Sequence, residues 1–456
     1  MKELFLIKDT LPNKISYYHL LLFFASLPFD RFYSQVILIS FAFHTFIHFK
    51  KTDLKTLYKH PILLLALVFI LTAAGALYTQ HQSKAFQELD KQLAILLLPI
   101  LLAISHPKLA KYQNKLMRGL AISCTLSILY LYYDALRIII LKSLPFSDLI
   151  SESFINHNFS SPVSIHATYL SMYAAFSLIY FLAESFKARS IRKRIEYSVF
   201  ILILALGIIQ LCSKSVFIAL LIAILAAPFF LFHGMKKIRI LSYSIILCIS
   251  VLVTIFQIGP LRNHFFTELS KDLAHSQTPD LTDSRATRWS AALSVIERAP
   301  VFGYGSGSET DILGEEYFSR KLYHSYLNKL NAHNQYLSFT IKFGVAGIII
   351  YLSTLLYGFR MAITQKDLLF FSFLILIAIV SFSENILDVN KGIFFYSSWF
   401  SLFIFSVKYR RLPVTSSRLP VKASSPPSPA TGNWQLTTNT FASEMKHDFL
   451  KQKILR

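Results

Sequence analysis

One histidine and three cations are the side chains of this 456-residue sequence that are best placed to do chemistry. Arg285 and Arg288 are one helical turn apart, so both guanidinium groups can reach a single ligand. His333 follows in the same polar stretch, and a neutral imidazole can take a proton from an attacking hydroxyl group. Lys214 lies between two apolar runs, where a cation at the edge of a bilayer is a functional candidate by default. These four residues suit a site in which a base works beside a bound anion.

Two helix starts are expected to position these residues. Asp283 and Ser284 can cap a helix that begins at Arg285 and whose apolar residues recur at helical spacing. We expect this helix to lie along the membrane surface. His333 lies at or near the N-terminus of the next apolar helix, where the helix dipole and unpaired N–H groups favour an anion and disfavour a protonated imidazole. We therefore expect the histidine to be present as the neutral base.

A glycine-rich segment separates the two helix starts. Gly303, Gly305 and Gly307 alternate with other residues in a pattern that superficially resembles a dinucleotide-binding loop. No βαβ pattern surrounds them, so we interpret the segment as a sharp turn that returns the chain from the surface helix.

The composition places these elements in a membrane. The chain is 54% hydrophobic and only 16% charged, and its mean hydropathy is positive, which is atypical of soluble globular domains. Apolar runs approach the roughly 18 to 20 residues that cross a bilayer, and short polar loops separate them. The sequence therefore predicts an all-α polytopic membrane protein of about 12 transmembrane helices. The predicted spans are Ser16–Pro28, Gln35–Phe49, Pro61–Tyr78, Gln92–Ser105, Leu116–Leu141, Val163–Ala183, Ile195–Leu211, Val216–Phe232, Ile240–Ile258, Tyr336–Tyr357, Leu368–Phe382 and Ile393–Val407.

The net charge of +21 reflects topology. Basic residues fall between apolar runs and form no stripe with interleaved aromatic residues, so we expect no nucleic-acid partner. They follow the even-numbered spans, which by the positive-inside rule places both termini in the cytoplasm. The long polar loop 259–335, between spans 9 and 10, then lies outside the cytoplasm.

Two regions follow from this organisation. Residues 1–411 form the predicted transmembrane domain, which includes the loop 259–335 and its surface helix. Residues 412–456 are rich in Pro, Ser and Thr and cannot bury enough apolar area to order themselves, so they are predicted to be a disordered cytoplasmic tail.

Several motifs in a fixed order resemble those of the O-antigen ligase and O-antigen polymerase family. They are Arg285-x-x-x-Trp289, Pro300, Gly303-x-Gly305-x-Gly307 and His333-Asn334-x-Tyr336-Leu337, with Ser213-Lys214 and Ile165-His166-Ala-Thr-Tyr169 upstream. The resemblance implies a GT-C-type enzyme of the bacterial inner membrane with its active site on the periplasmic face. It implies transfer of a glycan from undecaprenyl diphosphate to an acceptor without a metal or another cofactor.

The resemblance also implies roles for individual residues. The essential loop histidine of the family matches His333, which we assign as the catalytic base, and its loop arginine matches Arg285. Arg288 and Lys214 complete a predicted diphosphate clamp, although the family commonly has an arginine where this chain has Lys214. That replacement keeps the charge but loses the bidentate geometry of an arginine. Possible secondary site residues are His166, Tyr169, Asn334, Tyr336 and Glu384.

Several alternatives remain open at this level. The acceptor is lipid A core in a ligase and a lipid-linked glycan in a polymerase, and the motifs do not separate the two. A transporter or flippase of a lipid-linked saccharide is more distant, because the sequence shows no clear repeat and gathers its charges in one outer loop. A metal-dependent GT-C transferase would use an acidic residue of the first outer loop, where Asp30 lies. Membrane lipids are partners in every case.

Overall fold

A computed structural model describes residues 2–51, 57, 61–105, 109–274 and 283–410. None of these ranges contains a β-strand, so the all-α class is confirmed for the described chain. The predicted tail 412–456 lies outside the described residues.

The helices of eleven or more residues in these ranges are numbered α1 to α14. They are α1 (Leu11–Ser26), α2 (Arg31–Ile47), α3 (Ile62–Ala76), α4 (Gln82–Ile104), α5 (Leu109–Leu141), α6 (Ala167–Lys187), α7 (Ile191–Leu211), α8 (Lys214–Leu231), α9 (Gly234–Gln257), α10 (Arg285–Arg298), α11 (Glu309–Ser319), α12 (Gln335–Thr364), α13 (Leu368–Val380) and α14 (Asn390–Arg410).

Six of these helices are long and apolar enough to cross a membrane, namely α5, α6, α7, α8, α9 and α12. Helices α3 and α13 are apolar but shorter. Each of the 12 predicted spans overlaps one helix of the structure. The polytopic helical character is therefore supported, while the count of 12 spans and the GT-C architecture stay predictions.

Helices α6 and α14 form the centre of the bundle. Almost every side chain of α6 is buried, and it packs against α5, α7 and α13. Trp399 of α14 is fully buried between Phe24 and Phe176, with ring centroids at 4.2 and 5.3 Å. By contrast, few side chains of α9 are buried, so its apolar surface faces outward, as expected of a helix at the lipid boundary.

The outer loop folds on the start of α12. Helices α10 and α11 meet it through a small apolar core that includes Ala291, Leu313 and Ile341. The predicted start of α10 is confirmed, because the Ser284 hydroxyl accepts a hydrogen bond from the Thr287 N–H at 3.2 Å. The paired expectation for Asp283 was wrong: its carboxylate accepts instead from the N–H of Ser325, in the short helix Tyr323–Leu327.

The glycine-rich turn explains a break in α12. Gly344 has φ 61° and ψ −152°, which interrupts the helix and frees carbonyl groups before it. The N–H groups of Tyr304 and Gly305 donate to the carbonyls of Ile341 and Lys342 at 2.9 and 2.8 Å. Gly305 has φ 84°, and a Cβ there would collide with Thr79, three residues after the end of α3, so the predicted sharp turn is confirmed and glycine is required.

Candidate active site

His333 immediately precedes the N-cap of α12, as the sequence predicts. Its φ is 47°, in the left-handed region, and its N–H donates to the side-chain oxygen of Asn331 at 3.0 Å. Asn334 caps the helix by accepting from two N–H groups of the first turn, at 3.0 and 3.2 Å. The N–H of Asn334 in turn donates to Asn385 at 2.9 Å. The side chain of His333 remains 32% exposed, so it is fixed at the backbone but open to a ligand.

Glu384 lies beside the imidazole, in the loop between α13 and α14. Its Oε2 is 3.6 Å from Nδ1 of His333, which is ion-pair distance and longer than a hydrogen bond. Burial alone would raise the pKa of Glu384, but His333, His166 and Arg285 lower it below its ordinary value. Glu384 is therefore ionised near neutral pH. A carboxylate in this position can orient the imidazole and stabilise its protonated form.

His166 joins the same cluster from the start of α6. Its Nδ1 accepts from the Thr168 N–H at 3.3 Å, and its ring lies 4.0 Å from that of His157. Desolvation lowers the pKa of His166 to about 4, although Glu384 opposes the shift. His166 is therefore neutral near pH 7, and with Nδ1 accepting, its ring proton lies on Nε2. The structure thus brings His166, His333, Glu384 and Arg285 within electrostatic range of one another.

The rings of Tyr169 and Tyr336 pack among the residues that surround this cluster. Tyr169 is 97% buried, since only 3% of its surface is exposed, and its ring centroid is 5.8 Å from that of His166. The hydroxyl of Tyr336 donates to the carbonyl of Ala378 at 2.8 Å, and its ring packs on Phe382. Both rings therefore stabilise the walls of the site, and their roles toward a substrate stay predictions.

The two arginines of α10 lie in different surroundings. Arg285 is partly exposed, and its Nε is 3.7 Å from a carboxylate oxygen of Asp272. Arg288 is only 7% exposed, and within the described chain its Nε and Nη1 have no hydrogen-bond partner. Burial lowers the pKa of Arg288, whereas the nearby Tyr317 opposes that shift. A buried guanidinium group whose N–H donors lack partners is well suited to bind an anion.

Lys214 is the first residue of α8. Its Nζ lies 3.2 Å from Oε2 of Glu268, a carboxylate that also pairs with Nδ1 of His264 at 2.9 Å. The next residue, Ser215, accepts a hydrogen bond at 2.8 Å from Ser383, which precedes Glu384. This contact ties the start of α8 to the loop that carries the carboxylate of the cluster. No local pattern in the sequence indicates that Glu268 pairs with Lys214.

Residues 198–352 match the family model described as O-Antigen ligase. The resemblance to the O-antigen ligase family is confirmed. The matched segment runs from within α7 into α12 and contains Lys214, Arg285, Arg288 and His333, whereas Glu384 lies outside it. No curated protein matches the chain significantly.

The protein also holds a buried charge network that the sequence analysis missed. Lys342 of α12 is fully buried, with Nζ 3.0 Å from Asp388, 3.3 Å from Glu88 and 3.7 Å from Glu309. Lys342 lies only seven residues after the start of α12, about 10 Å along the helix. A lysine inside an apolar span is itself a signal of function or of a paired partner, and it could have been noticed.

The network reaches the backbone on either side of His333. Oε1 of Glu309 accepts from the N–H of Ala332 at 3.0 Å and from the Asn385 amide at 3.1 Å. Its Oε2 accepts from the Ser338 hydroxyl at 2.5 Å. Because Asn385 also accepts from the N–H of Asn334, buried hydrogen bonds hold both neighbours of His333. The network therefore fixes the loop that presents the imidazole.

Proposed function

We propose that this protein transfers a glycan from undecaprenyl diphosphate to an acceptor on the periplasmic face of the bacterial inner membrane. The observation that carries the proposal is the histidine His333, exposed beside the ionised Glu384 and near Arg285. A base and a cation beside one open site suit the transfer of a sugar from an anionic leaving group. The match of residues 198–352 to the O-Antigen ligase family model supports a ligase-type enzyme.

His333 acts as the general base in this proposal. The acceptor hydroxyl attacks the anomeric carbon, the bond from that carbon to the phosphate oxygen breaks, and the hydroxyl proton passes to the imidazole. Such a transfer contributes roughly 10²- to 10⁴-fold to the rate. Glu384 orients the ring and stabilises the imidazolium that forms. A single displacement inverts the configuration at the anomeric carbon.

The diphosphate that leaves is held by the clamp of Arg285, Arg288 and Lys214. Its negative charge grows during bond breaking, so fixed cations stabilise the transition state more than the ground state. The unpartnered donors of Arg288 support this role, because an anion would satisfy them. Lys214 would exchange its contact with Glu268 for one with the diphosphate. The clamp would supply the charge stabilisation without a metal ion.

The acceptor of the proposed ligase is lipid A core. A second candidate acceptor is a lipid-linked glycan, as in a polymerase, and an open apolar groove of about 530 Å³ between α2 and α4 suits the hydrocarbon of either acceptor. The more distant transporter hypothesis would explain the break in α12, but the packing of the glycine-rich turn already explains that break. Asp30, the residue of the metal-dependent alternative, caps α2 by accepting from the Phe32 N–H at 2.7 Å.

The test uses purified protein in liposomes with an undecaprenyl diphosphate-linked glycan and each acceptor in turn. His333→Ala is expected to lower transfer by about 10²-fold or more while donor binding is retained. The control is His48→Ala, at an exposed histidine after the end of α2. Normal turnover in His333→Ala would remove the proposed base. A chelator is expected to leave the wild-type rate unchanged.

A further inference from the structure

Two of the three cations of the proposed clamp are paired with carboxylates, and both carboxylates come from one short helix. This helix, Glu268–Leu273, follows α9 in the chain and is termed the counter-ion helix. Nζ of Lys214 lies 3.2 Å from Oε2 of Glu268, and Nε of Arg285 lies 3.7 Å from Oδ2 of Asp272. The two carboxylates are four residues apart, so they lie on one face of the helix. That face therefore lies against the clamp.

The two carboxylates are spaced like the charged groups of a ligand that contacts two cations at once. Residues four apart on a helix have Cβ atoms about 5–6 Å from each other, so Glu268 and Asp272 can each hold a separate cation. Asp272 is also within electrostatic range of Arg288. The counter-ion helix thus places two anionic groups at the cations that are proposed to hold the diphosphate.

Little packing holds the counter-ion helix in this position. It has six residues, none of them is buried, and 46% of the Glu268 side chain is exposed. The π-helical turn Asn263–Thr267 precedes it, and such turns are frequent at functional sites. An element with few buried apolar contacts opens at a low free-energy cost. The helix can therefore leave the clamp without disturbing the bundle.

His264 gives Glu268 a second partner. Nδ1 of His264 lies 2.9 Å from the same Oε2 atom that contacts Lys214. The Asn156 amide can donate to Nε2 of this ring at 3.5 Å, which leaves the ring proton on Nδ1, facing the carboxylate. Glu268 therefore keeps a hydrogen-bond partner when it separates from Lys214.

We propose that the counter-ion helix is an internal competitor of the diphosphate, so that Glu268 and Asp272 must release Lys214 and Arg285 before a diphosphate binds them. The inference rests on the proposed glycan transfer and assigns two carboxylates that regulate the same clamp. The competition lowers the affinity of the clamp for a diphosphate, because only the fraction of protein with free cations can bind it.

The competition acts on the product as well as on the donor. Transfer leaves a lipid diphosphate without its sugar, and this product carries more negative charge than the donor because an esterified phosphate oxygen becomes free. Fixed cations hold such an anion tightly, and slow product release limits the turnover of many enzymes. The return of Glu268 and Asp272 to their cations favours release. The two carboxylates thus keep the product from blocking the clamp.

The test compares Glu268→Gln, Asp272→Asn and the double variant with Glu315→Gln. Glu315 is an exposed residue of α11 that makes no ion pair with any described side chain, so this control removes a charge from the same outer loop. Undecaprenyl diphosphate is the probe, and its binding is measured by native mass spectrometry. Each single variant should bind it about two- to fivefold more tightly than the control, which is the range expected for a partly exposed ion pair. In the transfer assay, KM for the donor should fall and inhibition by undecaprenyl diphosphate should strengthen by the same factor.

The Lys214→Ala background tests whether Glu268 acts through the lysine. In that background Glu268→Gln should leave the binding of undecaprenyl diphosphate unchanged, because the carboxylate no longer competes for the cation. A helix that had merely unfolded would change binding in both backgrounds, and that result would overturn the proposal. Equal or weaker binding in Glu268→Gln and Asp272→Asn than in Glu315→Gln would also overturn it.

The two readouts separate this proposal from the proposed function. If the wild-type protein transfers glycan to no acceptor, the proposed function fails, and tighter binding of undecaprenyl diphosphate in the double variant than in Glu315→Gln would still support the counter-ion helix. If transfer occurs but KM for the donor is the same in the double variant and in the control, the proposed function stands and the counter-ion helix is refuted.

Discussion

Removal of the buried Lys342 should destabilise the protein more than removal of an exposed charged residue. The side chain is fully buried, and its ammonium group faces Glu88, Glu309 and Asp388 at 3.0 to 3.7 Å. Lys342→Met retains much of the length and removes the charge. The three carboxylates would then lose the buried cation that they share, and their mutual repulsion would be less compensated.

Breaking a buried ion pair by removing one partner costs about 3–5 kcal/mol, because the other charge is left uncompensated. The unfolding entropy is about 2.1 cal/mol/K per residue, so in a chain of 456 residues a change of 1 kcal/mol shifts the melting temperature by about 1 °C. The expected fall for Lys342→Met is therefore about 3–5 °C. Adding Asp388→Asn and Glu88→Gln removes two of the stranded charges, so the triple variant should recover part of the loss.

The assay heats detergent-solubilised protein and measures the monodisperse fraction by size-exclusion chromatography. Lys187→Met is the control, because this lysine is 62% exposed and its one ion pair within the described residues is with Glu184, one turn away. Pairs of that kind contribute about 0.3–0.5 kcal/mol. If Lys342→Met and Lys187→Met had the same melting temperature, Lys342 would not stabilise the three carboxylates, and the reasoning would be refuted.

Three further predictions concern the site and its orientation. Glu384→Gln should lower the transfer rate roughly 10²- to 10⁴-fold, because the imidazolium that forms during transfer loses its partner. An unchanged rate would contradict this. Lys214→Arg should be tolerated, and Lys214→Ala should raise the KM for the donor. An unchanged KM for the donor in Lys214→Ala would indicate that this lysine only contacts lipid headgroups. A membrane-impermeant maleimide should label Lys329→Cys from the periplasm but not Lys193→Cys, and since the three native cysteines are buried, the reverse result would invert the topology.

Local signals accounted for much of what the sequence predicted correctly. Ser284 caps α10, and the positive φ of Gly305 makes the turn, because both features depend on residues within a few positions. The placement of His333 before α12 follows from the apolar run that it precedes. The same kind of signal misled only for Asp283, whose carboxylate binds a distant backbone N–H instead of its own helix.

The charge pairs that the sequence did not predict depend on contacts between segments that are far apart in the chain. Glu88, Glu309, Lys342 and Asp388 come from four separate parts of the chain, and no periodicity links them. Glu268 likewise pairs with Lys214, although the whole of α9 separates the two residues in the chain. Hydropathy shows where helices lie but not which faces meet, so charge pairs of this kind emerge only from the packed bundle.

The position of the network explains why a membrane enzyme would keep charges buried beneath its site. The left-handed backbone of His333 is strained by about 1–2 kcal/mol, and such a conformation persists only where its surroundings determine it. Glu309 and Asn385 supply that constraint through the N–H groups of Ala332 and Asn334, and Nζ of Lys342 lies 3.7 Å from the carboxylate of Glu309 in the interior. Since Glu88, Glu309 and Asp388 also line the cavity of about 290 Å³ beside Asn331, one set of buried charges both holds the His333 loop and shapes the space next to it.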